Sequence, residues 1–255
     1  MHDFISVTEV SGERVSAEQV ERLRSRYCWA ARYCAGKNVL EVACGSGQGL
    51  GLINSSSKSL VAGDYSPVVL QTAIDYYNSR IPLKLFDAQE VPFDDNSFDV
   101  IIIFEAIYYL ADVGKFFEEC KRVLKPRGQI LISMPNKSLS DFNPSPYSHT
   151  YFDISELTLI LKAHDFESEF FGYLSVNNIS VKQRLFRPIK KLAVKLGLVP
   201  KTMSGKRLLK RIVFGRLIEM PSEVKAEDCK KCKGVDLLTG TTSSHKVIYC
   251  AASLN

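Results

Sequence analysis

The stretch VLEVACGSGQGL, residues 39–50, constrains the fold more than any other part of the chain. Val39, Leu40 and Val42 form a short apolar run of the kind that builds a buried strand. Gly45, Gly47 and Gly49 then free the backbone to turn tightly and to let another group come close. Similar apolar runs recur downstream and alternate with helical patterns, which predicts a parallel sheet with helices on both faces. The expected strands are 38–43, 59–64, 82–86, 98–104 and 128–134, followed by 167–175 and a last strand in HKVIYCAASL, residues 245–254. Helices are expected over 16–34, from Ser66 and Pro67 through PVVLQTAIDYYNSR, over 112–124, and near 154–164. Ser66 is a suitable N-cap and Pro67 suits the first helical position. The helix at 112–124 should stop before Lys125-Pro126, because proline disfavours helical geometry in the residue before it. SMPNKSLSDFNPSPYSHTYFD, residues 133–153, reads as a long irregular loop, and such loops in compact domains are often functional.

In an open parallel sheet, ligands gather at the carboxyl ends of the strands. Three acids close successive strands there: Glu41, Asp64 and Asp87. A glycine-rich turn alone fits nicotinamide, flavin and S-adenosylmethionine enzymes equally. The third acid favours a ligand with a cationic amino acid, a ribose and an adenine over one carrying a pyrophosphate. Asp64 can accept from two ribose hydroxyls, and Asp87 from an exocyclic amino group.

The segments VLEVACGSG, VAGDYSPVVLQTA, DAQEVPFDDNSFDVII and FEAIYYLADVGKFFEECKRVLKPRGQILISMPN resemble the successive motifs of the class I S-adenosylmethionine-dependent methyltransferases, over roughly residues 26–136. The resemblance implies an α/β, Rossmann-like seven-stranded fold, mostly parallel, with the last strand antiparallel. By position it implies that Glu41 bears on the methionine amino end through the loop. Ala43, Gly45, Ser46 and Gly47 would line the methionine and ribose. Asp64 would take the ribose hydroxyls with Tyr65 beside the adenine, Asp87 and Ala88 would hold the adenine edge, and Phe104 would lie near the sulfonium. Ala43 stands where the commonest loop of the family has glycine, and an alanine keeps the backbone path if φ is negative there.

A sulfonium methyl is already electrophilic, so transfer needs alignment of the reactants and, for a hydroxyl acceptor, a base. No metal is required. Candidates on the acceptor side are Tyr27, Glu105, Tyr108, His149 and Tyr151. His149 is the preferred base, since histidine titrates near neutral pH; the alternative is a surface-loop histidine with no catalytic role. Tyr108 is the second catalytic candidate, with packing as its alternative, and His164 is read as structural.

The late part of the chain differs in charge. Residues 182–216 hold twelve of the 33 Lys and Arg residues and no acid, so the remainder is acidic. Val181, Leu185, Ile189, Leu192 and Leu196 recur at helical spacing, which predicts an amphipathic helix with Lys190, Lys191 and Lys195 turned away. That basic segment, within 180–217, suits either a solvated packing role, an anionic acceptor or a peripheral membrane contact. With only Phe186 and Phe214 for stacking and no RNA-binding module, nucleic acid is not the expected partner. The expected layout is a helical cap at 1–37, a cofactor-binding core at 38–175, a basic insertion at 176–220 and a closing segment at 221–255.

Seven scattered cysteines suggest reduced thiols, and neither a bilayer-spanning run nor a basic-then-apolar leader pattern is visible, so a cytoplasmic location is expected. Cys229, Cys232, His245 and Cys250 have zinc-like spacing, but alternation along a final strand would turn His245 and Cys250 to opposite faces. FEAIYYL, the long loop and the basic insertion together resemble methyltransferases of bacterial polysaccharide and glycolipid pathways. The expected activity is therefore methyl transfer to an oxygen or nitrogen of a small-molecule, lipid-linked or nucleotide-linked sugar acceptor. The alternatives are a quinone-like lipid, a natural product, or a scaffold that binds S-adenosylmethionine without turnover.

Overall fold

The computed structural model describes residues 8–176 and 217–255, so the expected basic amphipathic helix lies outside the described residues. The central sheet has strands β2 (Asn38–Val42), β3 (Ser59–Asp64), β4 (Leu83–Leu85), β5 (Phe98–Phe104), β6 (Leu124–Pro135), β7 (Phe166–Ser175), β9 (Asp236–Leu238) and β10 (His245–Leu254). Their order is β4-β3-β2-β5-β6-β10-β7-β9. Strands β4, β3, β2, β5 and β6 pair in parallel, and β10 runs antiparallel between β6 and β7. This is the Rossmann-like methyltransferase arrangement with one strand more than the expected seven. The addition is β9, which pairs antiparallel with the outer edge of β7. Imidazole Nε2 of His245 lies 2.8 Å from Asp236 Oδ2 and ties that edge to β10. A second, two-stranded sheet joins β1 (Arg14–Val15) to β8 (Ile218–Glu219).

Burial explains the strand sequences. FDVIIIF in β5 is an almost unbroken apolar run because a central parallel strand is covered on both faces. One core lies under α1 (Ala17–Cys34), α2 (Leu50–Ser56) and α3 (Pro67–Tyr77); the other lies under α4 (Val113–Val123) and α5 (Ile154–Ala163). Along α1, Val20, Leu23, Tyr27, Ala30 and Cys34 are buried at helical spacing. Each fully buried side chain of Leu size contributes on the order of 1.5–3 kcal/mol. Ser16 and Gln19 form a capping box at the start of α1. Ser66 caps α3 through the Val69 N–H, with Pro67 in its first turn. Helix α4 ends at Val123 as proline requires, but Lys125-Pro126 then lies inside β6, which starts earlier than the expected 128.

One expectation about the cysteines changes. Cys28 on α1 and Cys229 on α6 (Ala226–Cys229) form a disulfide, so not all thiols are free. The fold brings positions 201 residues apart to a Cα–Cα distance of 5.2 Å, a proximity that sequence spacing cannot express. With Cys229 bound to Cys28, the zinc-like quartet does not converge. Val247, Tyr249 and Ala251 of β10 enter one core, whereas Ile248, Cys250 and Ala252 enter the other. Among the described residues, no helix is long and apolar enough to cross a membrane.

Candidate active site

The sheet order reverses between β2 and β5, and the crevice outside the carboxyl ends of these strands is where an open α/β sheet takes a ligand. A cleft of about 560 Å³ opens there. Its first wall is the glycine loop. Gly45 and Gly47 have φ values of +60° and +80°, a region that disfavours side chains. Gly49 has an ordinary φ and serves close packing: a Cβ there would lie 2.0 Å from the Tyr27 ring. The third glycine of the loop therefore makes room for α1 rather than for a ligand. Ala43 has φ +53°, not the negative value expected, so the alanine is held in a strained left-handed conformation costing about 1–2 kcal/mol.

The second wall is acidic. Asp64 lies at the end of β3, where its Oδ2 accepts from the Gly45 N–H and its Oδ1 from the Ser66 N–H, both at 2.8 Å. Lone pairs remain on both oxygens for ligand hydroxyls. Burial raises the Asp64 pKa against the pull of these backbone donors. Asp87, with Oδ1 accepting from the Gln89 N–H at 2.8 Å, lines the same wall with Tyr65 and Ala88. Glu41 is buried on β2 behind the loop; its Oε1 accepts from Tyr27 Oη at 2.5 Å. Its Oε2 has no hydrogen-bond partner among the described residues. Desolvation pushes the Glu41 pKa up to about 7, although the Tyr27 bond and Arg26 favour its charged form.

The opposite end of the cleft is aromatic. Phe104 meets Tyr27 edge-on, with ring centroids 5.4 Å apart. Tyr108 and Tyr109 follow in a short 3₁₀ turn, Ile107–Tyr109, and both line the cleft. Glu105 links the two features. Its Oε1 accepts from Ser133 Oγ at 3.0 Å and its Oε2 from Tyr108 Oη at 3.3 Å, while Arg22 Nη2 lies 3.6 Å from Oε1. The long loop is fastened to this end, because the His149 N–H donates to the Tyr108 carbonyl at 2.8 Å and Tyr151 stacks on Tyr108 at 4.4 Å. His149 is an exposed residue at the rim.

Of the residues singled out in the sequence, Tyr27, Ala43, Gly45, Asp64, Tyr65, Asp87, Ala88, Phe104, Glu105, Tyr108 and His149 converge on the cleft. Four stand behind its wall for identifiable reasons. Glu41 points to Tyr27, Ser46 Oγ donates to the Glu9 carbonyl, and Gly47 packs against Ala73 and Tyr77 of α3. Tyr151 backs Tyr108 and accepts the Ser145 N–H through its hydroxyl. Sequence reasoning missed Glu9, Arg22 and Arg26, which all line the cleft. Arg26 is buried and its Nη2 lies 2.5 Å from Glu9 Oε2. A visible signal existed: Arg26 adjoins Tyr27 on the apolar face of α1, where an arginine is rarely buried without a partner.

Residues 40–132 match the methyltransferase domain family. The chain is 34% identical over 145 residues to a probable S-adenosylmethionine-dependent methyltransferase of Mycolicibacterium smegmatis, covering 54% of this chain and 55% of that protein. It is 33% identical over 100 residues to the demethylmenaquinone methyltransferase of Clavibacter sepedonicus, covering 38% of this chain and 41% of that protein. The chain thus spans about half the length of the curated relatives it matches. The crystal structure of the YcgJ protein of Bacillus subtilis shares the fold, with a TM-score of 0.59, 15% identity, and coverage of 90% of this chain and 98% of that one. Strand order, the glycine loop and the matched segment agree: the chain carries a class I S-adenosylmethionine-dependent methyltransferase domain, whose cofactor is S-adenosylmethionine and whose kin lie in several bacterial methyltransferase families.

Proposed function

We propose that the chain transfers a methyl group from S-adenosylmethionine to a lipid-type small molecule, with a quinone-like ring as the acceptor. The observation that carries this reading is the aromatic end of the cleft, where Tyr27, Phe104, Tyr108 and Tyr109 face the acid-lined end. Aromatic walls with a few polar groups suit a planar, largely apolar acceptor. A sugar, the first expectation from sequence, would present hydroxyls rather than a flat apolar face to these rings. The demethylmenaquinone methyltransferase among the relatives supports the same choice.

The bound cofactor would supply an electrophilic methyl group. In this reading Asp64 takes the ribose hydroxyls, and Asp87 with Ala88 takes the adenine edge. Arg22 and Arg26 provide positive charge toward the carboxylate of the amino-acid end, and Glu41 provides negative charge behind the loop. Phe104 and Tyr27 keep water from the reacting centre. The test is transfer of labelled methyl from S-adenosylmethionine by the purified chain, supplied with reduced short-chain demethylmenaquinone or with a bacterial lipid extract. Label is expected in the organic phase. Label recovered only in water-soluble saccharides would overturn the reading.

A further inference from the structure

Ala43 and Glu105 follow the two strands that flank the crevice, and both have φ +53°. At Ala43 the loop path accounts for that conformation. At Glu105 nothing in the turn requires a carboxylate, and a glycine would adopt the same backbone without strain. Backbone strain of this kind persists only where the surroundings over-determine it. Here they do so twice from one residue: the Glu105 N–H donates to the Ser133 carbonyl at 2.8 Å, and Ser133 Oγ donates to Glu105 Oε1. Ser133 is fully buried in β6 and so fixes both ends of the glutamate. Tyr108 Oη holds the second carboxylate oxygen, and Arg22 from α1 faces the first.

The other groups at this end are engaged or unsuited to accept a proton. Burial pushes the phenols of Tyr27 and Tyr108 well above their ordinary values, so both stay protonated, and both donate to glutamates. Glu9 is paired with Arg26, and Arg22 is a cation. His149 is exposed at the rim, whereas the Glu105 side chain is 20% exposed in the cleft. A carboxylate has about four lone-pair positions, so the contacts with Ser133, Tyr108 and Arg22 leave Glu105 able to accept one more hydrogen bond.

We infer that Glu105, not His149, is the catalytic base, accepting the proton of a hydroxyl on the acceptor, with Ser133 and Tyr108 as its positioning residues. This rests on the proposed methyl transfer but not on the acceptor being a quinone. The acceptor's O–H bond breaks and its proton passes to Glu105. The electron pair released forms the bond to the methyl carbon, from the oxygen itself or from a ring carbon conjugated to it, and the C–S pair stays on the departing thioether. After carbon methylation, tautomerisation restores the hydroxyl, and one proton leaves in either case.

Two measurements test it. The first needs no turnover: calorimetry of naphthalene-1,4-diol and of its dimethyl ether on the S-adenosylhomocysteine complex. Wild type should bind the diol at least tenfold tighter than the ether, and Glu105→Ala should bind both alike. A diol preference that survives in Glu105→Ala overturns the inference; a wild type without the preference removes the quinol as acceptor, and the second measurement then decides. The second takes whichever lipid the wild type methylates, quinol or otherwise. Glu105→Gln keeps the side-chain shape and should lower kcat about a hundredfold or more while KM stays within about threefold. His149→Gln should leave kcat within about threefold; the reverse pattern gives the base role to His149. Failure of the quinol alone, with methylation of another hydroxylated lipid, removes the quinone reading and leaves this one standing. Unchanged S-adenosylhomocysteine affinity in Glu105→Gln separates loss of the base from damage to the cofactor site.

Discussion

Asp64→Ala should weaken S-adenosylhomocysteine binding by on the order of 2–4 kcal/mol, roughly 30- to 1,000-fold in Kd. The size follows from two sources. The carboxylate would lose two charge-assisted bonds to the ribose hydroxyls. It would also release the Gly45 and Ser66 N–H groups, which it now holds at 2.8 Å, so the loop and the start of α3 lose their common anchor. Each backbone donor left without a partner should cost about 1–3 kcal/mol of stability where water cannot replace the carboxylate. Calorimetry on the folded variant checks the affinity, and thermal melting checks the anchor. An unchanged Kd in a folded variant would remove Asp64 from the cofactor site.

Glu41 should show the opposite balance between stability and binding. Its folded pKa of about 7 lies above the ordinary 4.5, so the folded state holds the proton more tightly than the unfolded chain does. Stability of the ligand-free protein should therefore be highest at acidic pH with respect to this group. It should fall as pH rises from about 4.5 through 7, by at most about 3 kcal/mol. Glu41→Gln imitates the protonated acid and can still accept from Tyr27 Oη, so at pH 8 it should be more stable than wild type by about 1–3 kcal/mol. The cost should appear in binding. An ionised Glu41 favours a cationic ligand, so wild-type affinity for S-adenosylmethionine should rise with pH through about 7, and the glutamine variant should bind weakly without that rise. Urea unfolding and ligand titration at about pH 5.5 and 8 measure both halves. A destabilised glutamine variant with a normal pH profile of binding would contradict the account.

The parts of the fold legible in the sequence are those set by local chemistry. β5 announces itself as an apolar run because a central parallel strand is buried on both faces, and α3 by its serine cap and proline. The acid ends of β3 and the β4 turn, Asp64 and Asp87, mark the ligand wall because few other positions in a sheet place carboxylates side by side. What stayed hidden depends on partners distant in the chain. β9 has three residues and β1 two, and each is a strand only because β7 or β8 lies beside it. The Cys28–Cys229 bond and the Glu9–Arg26 pair are likewise products of assembly. Gly49 shows the subtler case: its spacing matched a ligand-binding loop, but the group that needs its missing Cβ is the ring of Tyr27.

Equilibrium titration of the full chain with S-adenosylhomocysteine and, separately, with NAD distinguishes two of the cofactor classes that a glycine loop can serve. If Asp64 and Asp87, which both line the cleft, take the ribose and the adenine as proposed, the chain should bind S-adenosylhomocysteine at one equivalent and show no saturable binding of NAD. Saturable binding of NAD together with no binding of S-adenosylhomocysteine would contradict it.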